Sequence, residues 1–196
     1  MNTQVGLRER KKEATRKALH EAAMRLAVEH GLDAVTVEAI ADAAGVSRRT
    51  FSNYFAGKED AVLYGDEQRV ERLLRAFVDR PAEESSWTAL RRALHGLYDE
   101  LGEPEPQWAA QSRLARKHPS VLGRQLAHYA SFERRLAEQI ALRDGLPATS
   151  RRPRVVAIAF LASIRMATQT WIEEQPSRSL RAIVDEVLDE MARPFS

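Results

Sequence analysis

The chain of 196 residues contains no cysteine, which excludes a disulfide framework, thiolate metal sites and a cysteine nucleophile, and suits a reducing compartment. It has no glycine-rich phosphate loop, no Gly-x-Ser-x-Gly elbow and no His-Glu-x-x-His pair, so the common phosphoryl-transfer, esterase and zinc-protease sites are missing. The histidines His20, His30, His95, His118 and His128 share no metal-ligand spacing, and none sits three residues after a glutamate as di-iron bundles require. No cofactor or metal is expected, and the chain reads as a non-enzyme. Adjacent acids at Glu83-Glu84 and Glu173-Glu174 read as solvated helix ends. Long apolar runs are missing too. The longest, residues 155–164 broken only by Ser163, ends at Arg165, short of the roughly 18 to 20 residues that span a bilayer. The opening MNTQVGLRERKKEATRK lacks the apolar core of a signal peptide. The expectation is a cytoplasmic protein without a membrane segment. Strand-like alternation, internal repeats and low-complexity tracts are also absent, which leaves an all-α chain.

What is present is enough apolar material, 44% of residues, to bury a substantial core. Net charge is only +2, but it is unevenly spread. Arg8, Arg10, Lys11, Lys12, Arg16 and Lys17 face only Glu9 and Glu13 near the start. A basic arm of this kind neutralises phosphates when it lies beside a DNA-reading element, and is otherwise a solvated helix start.

That element is the stretch TVEAIADAAGVSRRTFSNYFAGK, residues 36–58. Thr36 suits the N-cap of a first helix over residues 37–44. Gly45 supplies the positive φ that ends it, and Ser47 is placed to cap a second helix over residues 48–55. Phe51 and Phe55, four apart, share one face and can pack with Val46, Ile40, Ala41 and Ala44. Arg48, Arg49, Thr50, Ser52 and Asn53 fall away from that face, with the donors and acceptors needed to meet base edges and phosphates.

The run VSRRTFSNYFAGKED resembles the recognition-helix signature of the TetR family of transcriptional regulators, and with its flank ALHEAAMRLAVEHGLDAVTVEAIADAAGVS the likeness covers about residues 8–64. The resemblance implies a dimeric, all-helical, usually repressing DNA-binding protein with a separate ligand-binding body. Thr36, Arg48, Arg49, Thr50, Asn53, Tyr54 and Lys58 fall where family members touch double-stranded operator DNA, the threonine, tyrosine and lysine mostly on phosphate. Ser47 and Ser52 complete the DNA-facing set. Ser52 departs from the aromatic that is common there, which bears on base preference. GLRERKK, RRTFSNYF and GKEDAVL further resemble a subgroup of mycofactocin-type regulators, whose implied effectors are acyl-CoA-like or other lipophilic acids.

The rest of the chain shows helical periodicity over residues 10–30, 58–80, 87–101, 107–117, 120–143, 154–174 and 179–192, about nine helices with the central pair. Gly65 is expected to bend or break the fourth. These spacings suggest a helix-turn-helix domain over residues 1–57 and a helical domain over residues 58–196, to which the resemblance assigns ligand binding and dimerisation. Residues 154–174 are apolar nearly all round, and the last helix carries the stripe Leu180, Ile183, Val184, Val187, Leu188, Met191. Paired with their symmetry mates, these two helices would build a four-helix dimer interface. Arg165, a cation in an apolar helix, requires a partner if buried: an acid such as Asp99 or Glu100, a residue across the dimer axis, or an anionic ligand head. The third reading places an effector among Trp87, Leu94, Tyr98, Trp108, Tyr129, Phe132 and Arg165. The function expected is a ligand-responsive repressor released from a palindromic operator. An activator of the same fold, a DNA-binding architectural protein without a ligand, and a helical-bundle enzyme built from scattered residues are the alternatives.

Overall fold

A computed structural model describes residues 6–102, 118–147, 149–173 and 178–193. The expected helix at 107–117, and Trp108 with it, lies outside them. The described residues form eight α-helices and no strand: α1 (Leu7–His30), a 3-10 turn (Leu32–Ala34), α2 (Val37–Ala43), α3 (Arg48–Ser52), α4 (Lys58–Val78), α5 (Ser86–Leu101), α6 (Pro119–Arg143), α7 (Arg151–Glu173) and α8 (Leu180–Met191). The chain divides into two compact units. The first is Met1–Glu67 with Gln111–Gln125, the second Gln68–Ala110 with Leu126–Ser196. The division therefore falls inside α4 and α6 and not at residue 57: the start of α4 shares the first unit's core through Ala61, Val62, Leu63 and Tyr64.

In the first unit, local chemistry sets every boundary around α2 and α3. The Thr36 hydroxyl accepts from the Ala39 amide at 3.1 Å, and the Ser47 hydroxyl from the Thr50 amide at 3.1 Å. These contacts satisfy amides that a helix start leaves open. Between them Gly45 takes φ +67°. Its amide donates to Asp42 O at 3.0 Å and that of Val46 to Ala41 O at 2.9 Å, the paired bonds of a Schellman ending. Helix α3 is shorter than its periodicity predicts. It ends at Ser52, and Tyr54 and Phe55 continue as a turn, both donating their amides to Phe51 O. Phe51 and Phe55 are buried as expected, with ring centroids 5.8 Å apart, and Phe55 meets Tyr64 edge-on at 5.5 Å.

Gly65 does not break α4, which runs unbroken from Lys58 to Val78. A Cβ at residue 65 would lie 2.8 Å from Nε2 of His20. The glycine is there for close approach between helices, and its cost of about 1 kcal/mol relative to alanine in an isolated helix says nothing about that. His20 fixes the contact from the other side, with Nδ1 2.8 Å from Ala61 O.

The second unit is built on Phe77, Leu90, Leu136, Ile140, Phe160, Val184 and Leu188, all essentially inaccessible. Helix α8 turns most of its stripe inward: Leu180, Ile183, Val184 and Leu188 are buried in this core and Val187 packs against it, while Met191 is half-buried. The expectation that the stripe meets a symmetry mate is corrected here, because a single stripe serves a single neighbour, and that neighbour lies within the subunit. Ion pairs fasten the polar edge of α8 to α5. Arg91 reaches Asp185 at 3.1 Å and also Asp189, His95 reaches Asp185 at 2.7 Å, and Arg181 reaches Asp99 at 2.6 Å. Elsewhere Arg143 donates to Arg80 O at 3.1 Å and stacks over Phe77 at 5.1 Å, tying down the loop that follows α4.

Among the described residues, helix α7 alone has an 18-residue window apolar enough, with a mean hydropathy of 1.5, to meet the length and composition of a membrane span. Counting uninterrupted apolar residues had missed this, since Ser163 and Arg165 barely lower a windowed mean. Pro153, Ala157, Phe160, Ser163, Ala167, Trp171 and Ile172 of that helix are buried in the protein, as a core helix requires.

Candidate nucleic-acid interface

The surface of the first unit gathers the residues singled out in the sequence. Thr36, Ser47, Arg48, Arg49, Ser52 and Asn53 are exposed, and Thr50, Tyr54 and Lys58 are half-buried. The mount beneath them is rigid: two caps, a Schellman turn and a pair of buried phenylalanines leave the start of α3 little freedom. Ser47 and Thr50 are tied further through their hydroxyls, 2.9 Å apart.

Four side chains have roles that spacing alone did not reveal. Lys58 directs its ammonium at the 3-10 turn, donating to Leu32 O at 2.8 Å, Val35 O at 2.9 Å and Asp33 O at 3.4 Å. It thereby holds the approach to α2 in place, whatever else it touches. Arg16 lies over the rings of Tyr54 and Tyr64, 5.8 and 6.0 Å from their centroids, so one cation of the basic arm is stacked between aromatics and not merely solvated. Its buried Nε has no acceptor among the described residues. Glu38, on the first turn of α2, pairs with Arg48 at 2.8 Å. The signal for that pair was weak: an acid two residues after an N-cap is ordinary dipole chemistry, and its reach across the turn depends on tertiary geometry. Tyr64 donates its hydroxyl to Glu13 at 2.7 Å. Burial, followed by the Glu13 carboxylate, pushes its pKa up to about 12, so it stays a neutral donor.

The residues nominated for a ligand are only partly brought together. Leu94 and Phe132 are buried in the second core, with Trp87 and Tyr98 packed against it, and Tyr129 is half-buried on α6. Trp87 meets Phe160 edge-on at 6.0 Å, and its buried indole nitrogen has no acceptor among the described residues. Arg165 is exposed. The premise that its guanidinium is buried within the subunit is therefore corrected. It sits beside Val155, Ile158 and Met166, which are 61%, 44% and 58% exposed. Helix α7 is apolar on two sides, but only one faces its own core.

A short helix presenting arginines and hydroxyls at its exposed N-terminal end and an amide at its other end, held on two buttressing helices, defines a helix-turn-helix DNA-binding protein. Comparison with known proteins agrees. Residues 19–63 match the family model described as bacterial regulatory proteins, tetR family, and residues 84–196 match that of the MftR C-terminal domain. The transcriptional regulator TcmR of Streptomyces glaucescens is 33% identical over 173 residues, covering 85% of this chain and 76% of the relative. Among solved structures, a complex of SmeT with triclosan, the Stenotrophomonas maltophilia efflux-pump repressor, has a TM-score of 0.61 at 18% identity and covers 93% of this chain and 96% of its own. FadR of Thermus thermophilus, a repressor solved with lauroyl-CoA, gives 0.53 at 21% identity, covering 92% and 95%. The chain belongs to the TetR family of bacterial transcriptional regulators.

Proposed function

We propose that this regulator is a homodimeric repressor, acting in the cytoplasm, whose two α3 helices enter successive major grooves of a palindromic operator and which a lipophilic effector releases. The observation that carries the DNA reading is the exposed start of α3, where Arg48 and Arg49 stand on a mount that cannot yield. Thr36, Ser47, Thr50, Tyr54 and Lys58 ring them as phosphate partners, with Ser52 and Asn53 further along the helix. Arg49, which pairs with no acid among the described residues, is the freer of the two for DNA. The stacked Arg16 sets Tyr54 in place.

The exposed apolar face of α7, Val155, Ile158 and Met166, supports dimerisation, since a second copy would cover it and bring Arg165 to the rim of the contact. In the body, the indole N–H of Trp87 supports a ligand that combines apolar bulk with an acceptor. A buried donor left unpaired costs about 1–3 kcal/mol. The match to the MftR C-terminal domain, and the lauroyl-CoA held by the FadR relative, favour an acyl-CoA-like molecule. Effector binding would weaken DNA binding by its differential affinity for the two states.

The test is a gel-shift titration of the full chain on DNA flanking its own coding region, with and without lauroyl-CoA. A salt-sensitive shift that lauroyl-CoA reverses is expected. No shift on that DNA at any salt would remove self-regulation, and a shift strengthened by the acyl-CoA would make the protein an activator or co-repressed regulator.

A further inference from the structure

Glu38 is an anomaly on a surface meant for phosphates. A carboxylate there repels DNA, yet it is 52% exposed and sits on the first turn of α2, just past the Thr36 cap. Its Oε1 lies 2.8 Å from Nη1 of Arg48, the first residue of α3. As a stabilising ion pair this contact is worth little, because both groups are well solvated. Its geometry is more telling. The two groups approach to ion-pair distance without a directed N–H bond between them, and among the described residues nothing accepts from the other edge of the guanidinium, Nε–H with Nη2–H. That edge is a two-donor fork of the spacing that matches O6 and N7 of guanine. The two Cα positions are fixed relative to each other by the Gly45 turn and both caps. Glu38 therefore sets a negative charge against the Nη1 side of Arg48, offsetting the charge that would otherwise be drawn to any phosphate and leaving the fork free.

We propose that Glu38 is a specificity-determining positioning residue: it holds Arg48 for side-on reading of a guanine and suppresses binding to DNA without that guanine. This rests on the reading of α3 as the DNA-facing helix, and it assigns the two arginines different work, Arg48 to a base and Arg49 to general affinity or a second base. Three consequences follow from the charge and the geometry. Removing the acid must increase attraction to random duplex, and must steepen its salt dependence by about the contribution of one phosphate contact. It must also flatten the preference at one operator position, because an untethered guanidinium satisfies itself on the backbone. That flattening must vanish in a protein lacking Arg48.

The experiment is selection of bound sequences from a pool of randomised 20-base-pair duplex by the full chain and by Glu38→Gln, Arg48→Ala, Arg49→Ala and the Glu38→Gln/Arg48→Ala double variant, with direct affinity measured on one fixed random duplex. Glu38→Gln keeps the shape and hydrogen-bonding capacity at an exposed position, so the fold survives, which circular dichroism checks. Expected is a guanine preference of about tenfold or more at one half-site position in the parent, lost in Arg48→Ala, reduced severalfold in Glu38→Gln, and no lower in the double variant than in Arg48→Ala. Affinity of Glu38→Gln for the random duplex should rise severalfold. Loss of that preference in Arg48→Ala with an unchanged profile in Glu38→Gln would overturn the role of Glu38 while leaving the DNA-facing helix intact. A Glu38→Gln profile altered at a different position would mean that Glu38 reads its own base. Unaltered binding in both arginine variants would instead dismiss α3 as the reading helix.

Discussion

The two units of the chain solve opposite problems with the same secondary structure. In the first, the informative residues stay at the surface. Small caps, one left-handed glycine and two buried rings fix a helix of five residues, Arg48–Ser52, too short to be stable alone, so that its polar end is presented in one geometry. In the second, the informative residues are mostly inside. Phe160, Leu136, Ile140 and Leu188 fill a core that several helices share, and the apolar residues left outside include Val155, Ile158 and Met166 together on α7. A function that depends on local geometry leaves a local sequence signature. A function that depends on what a core leaves open does not.

The largest expected effect breaks this contrast within the second unit. Leu188 is 0% exposed and Ile158 is 44% exposed, so aspartate at the two positions should act differently. Leu188→Asp places an unpaired charge in the core and should cost about 4 kcal/mol or more, enough to unfold a typical domain, seen as loss of the thermal transition. Ile158→Asp should leave each subunit folded and convert dimer to monomer in light scattering. Retention of the dimer in Ile158→Asp would remove α7's outer face as the interface.

A smaller effect tests the first unit. Lys58→Ala removes a donor from three carbonyls around the 3-10 turn, and should lower stability by about 1–3 kcal/mol as well as weakening DNA binding for all sequences alike. Chemical denaturation separates the two losses. An unchanged midpoint would mean that Lys58 acts on DNA alone.

The smallest effect is on acid stability. Arg80 donates to Glu84, Arg92 adds a second contact at 2.6 Å, and together they hold the carboxyl down at about 2. A depressed carboxylate contributes stability that is full above its unfolded pKa of about 4.3 and is lost as pH falls towards 2. Glu84→Gln should therefore flatten the stability profile between those values and leave it unaltered at neutral pH apart from a constant offset.

Reading the sequence alone succeeded where one residue type has one physical use. Thr36, Gly45 and Ser47 are where a cap, a left-handed ending and a second cap must be, and Phe51 and Phe55 are both buried as their spacing predicts, although a turn and not the helix carries Phe55. It failed where a residue has several uses. Gly65 carries the signal of a helix break, and only the ring of His20 beside it shows that the helix needs a missing Cβ. Lys58 was nominated as a phosphate partner by resemblance, but its carbonyl contacts lie more than twenty residues away in sequence. Arg165 and the α8 stripe were misassigned for a related reason: periodicity tells which residues share a face, not which neighbour that face meets. Glu38 was passed over because its partner is on another helix.

The central claim, two α3 helices of one dimer on one operator, is tested most directly by hydroxyl-radical footprinting of the full chain on the DNA fragment that it shifts. The account predicts two protected patches related by a two-fold axis, centred about one helical turn apart, roughly 34 to 36 Å, or a multiple of it, both lost together in Ile158→Asp at concentrations where that variant is monomeric. A single protected patch, or two that persist when the dimer is broken, would contradict it.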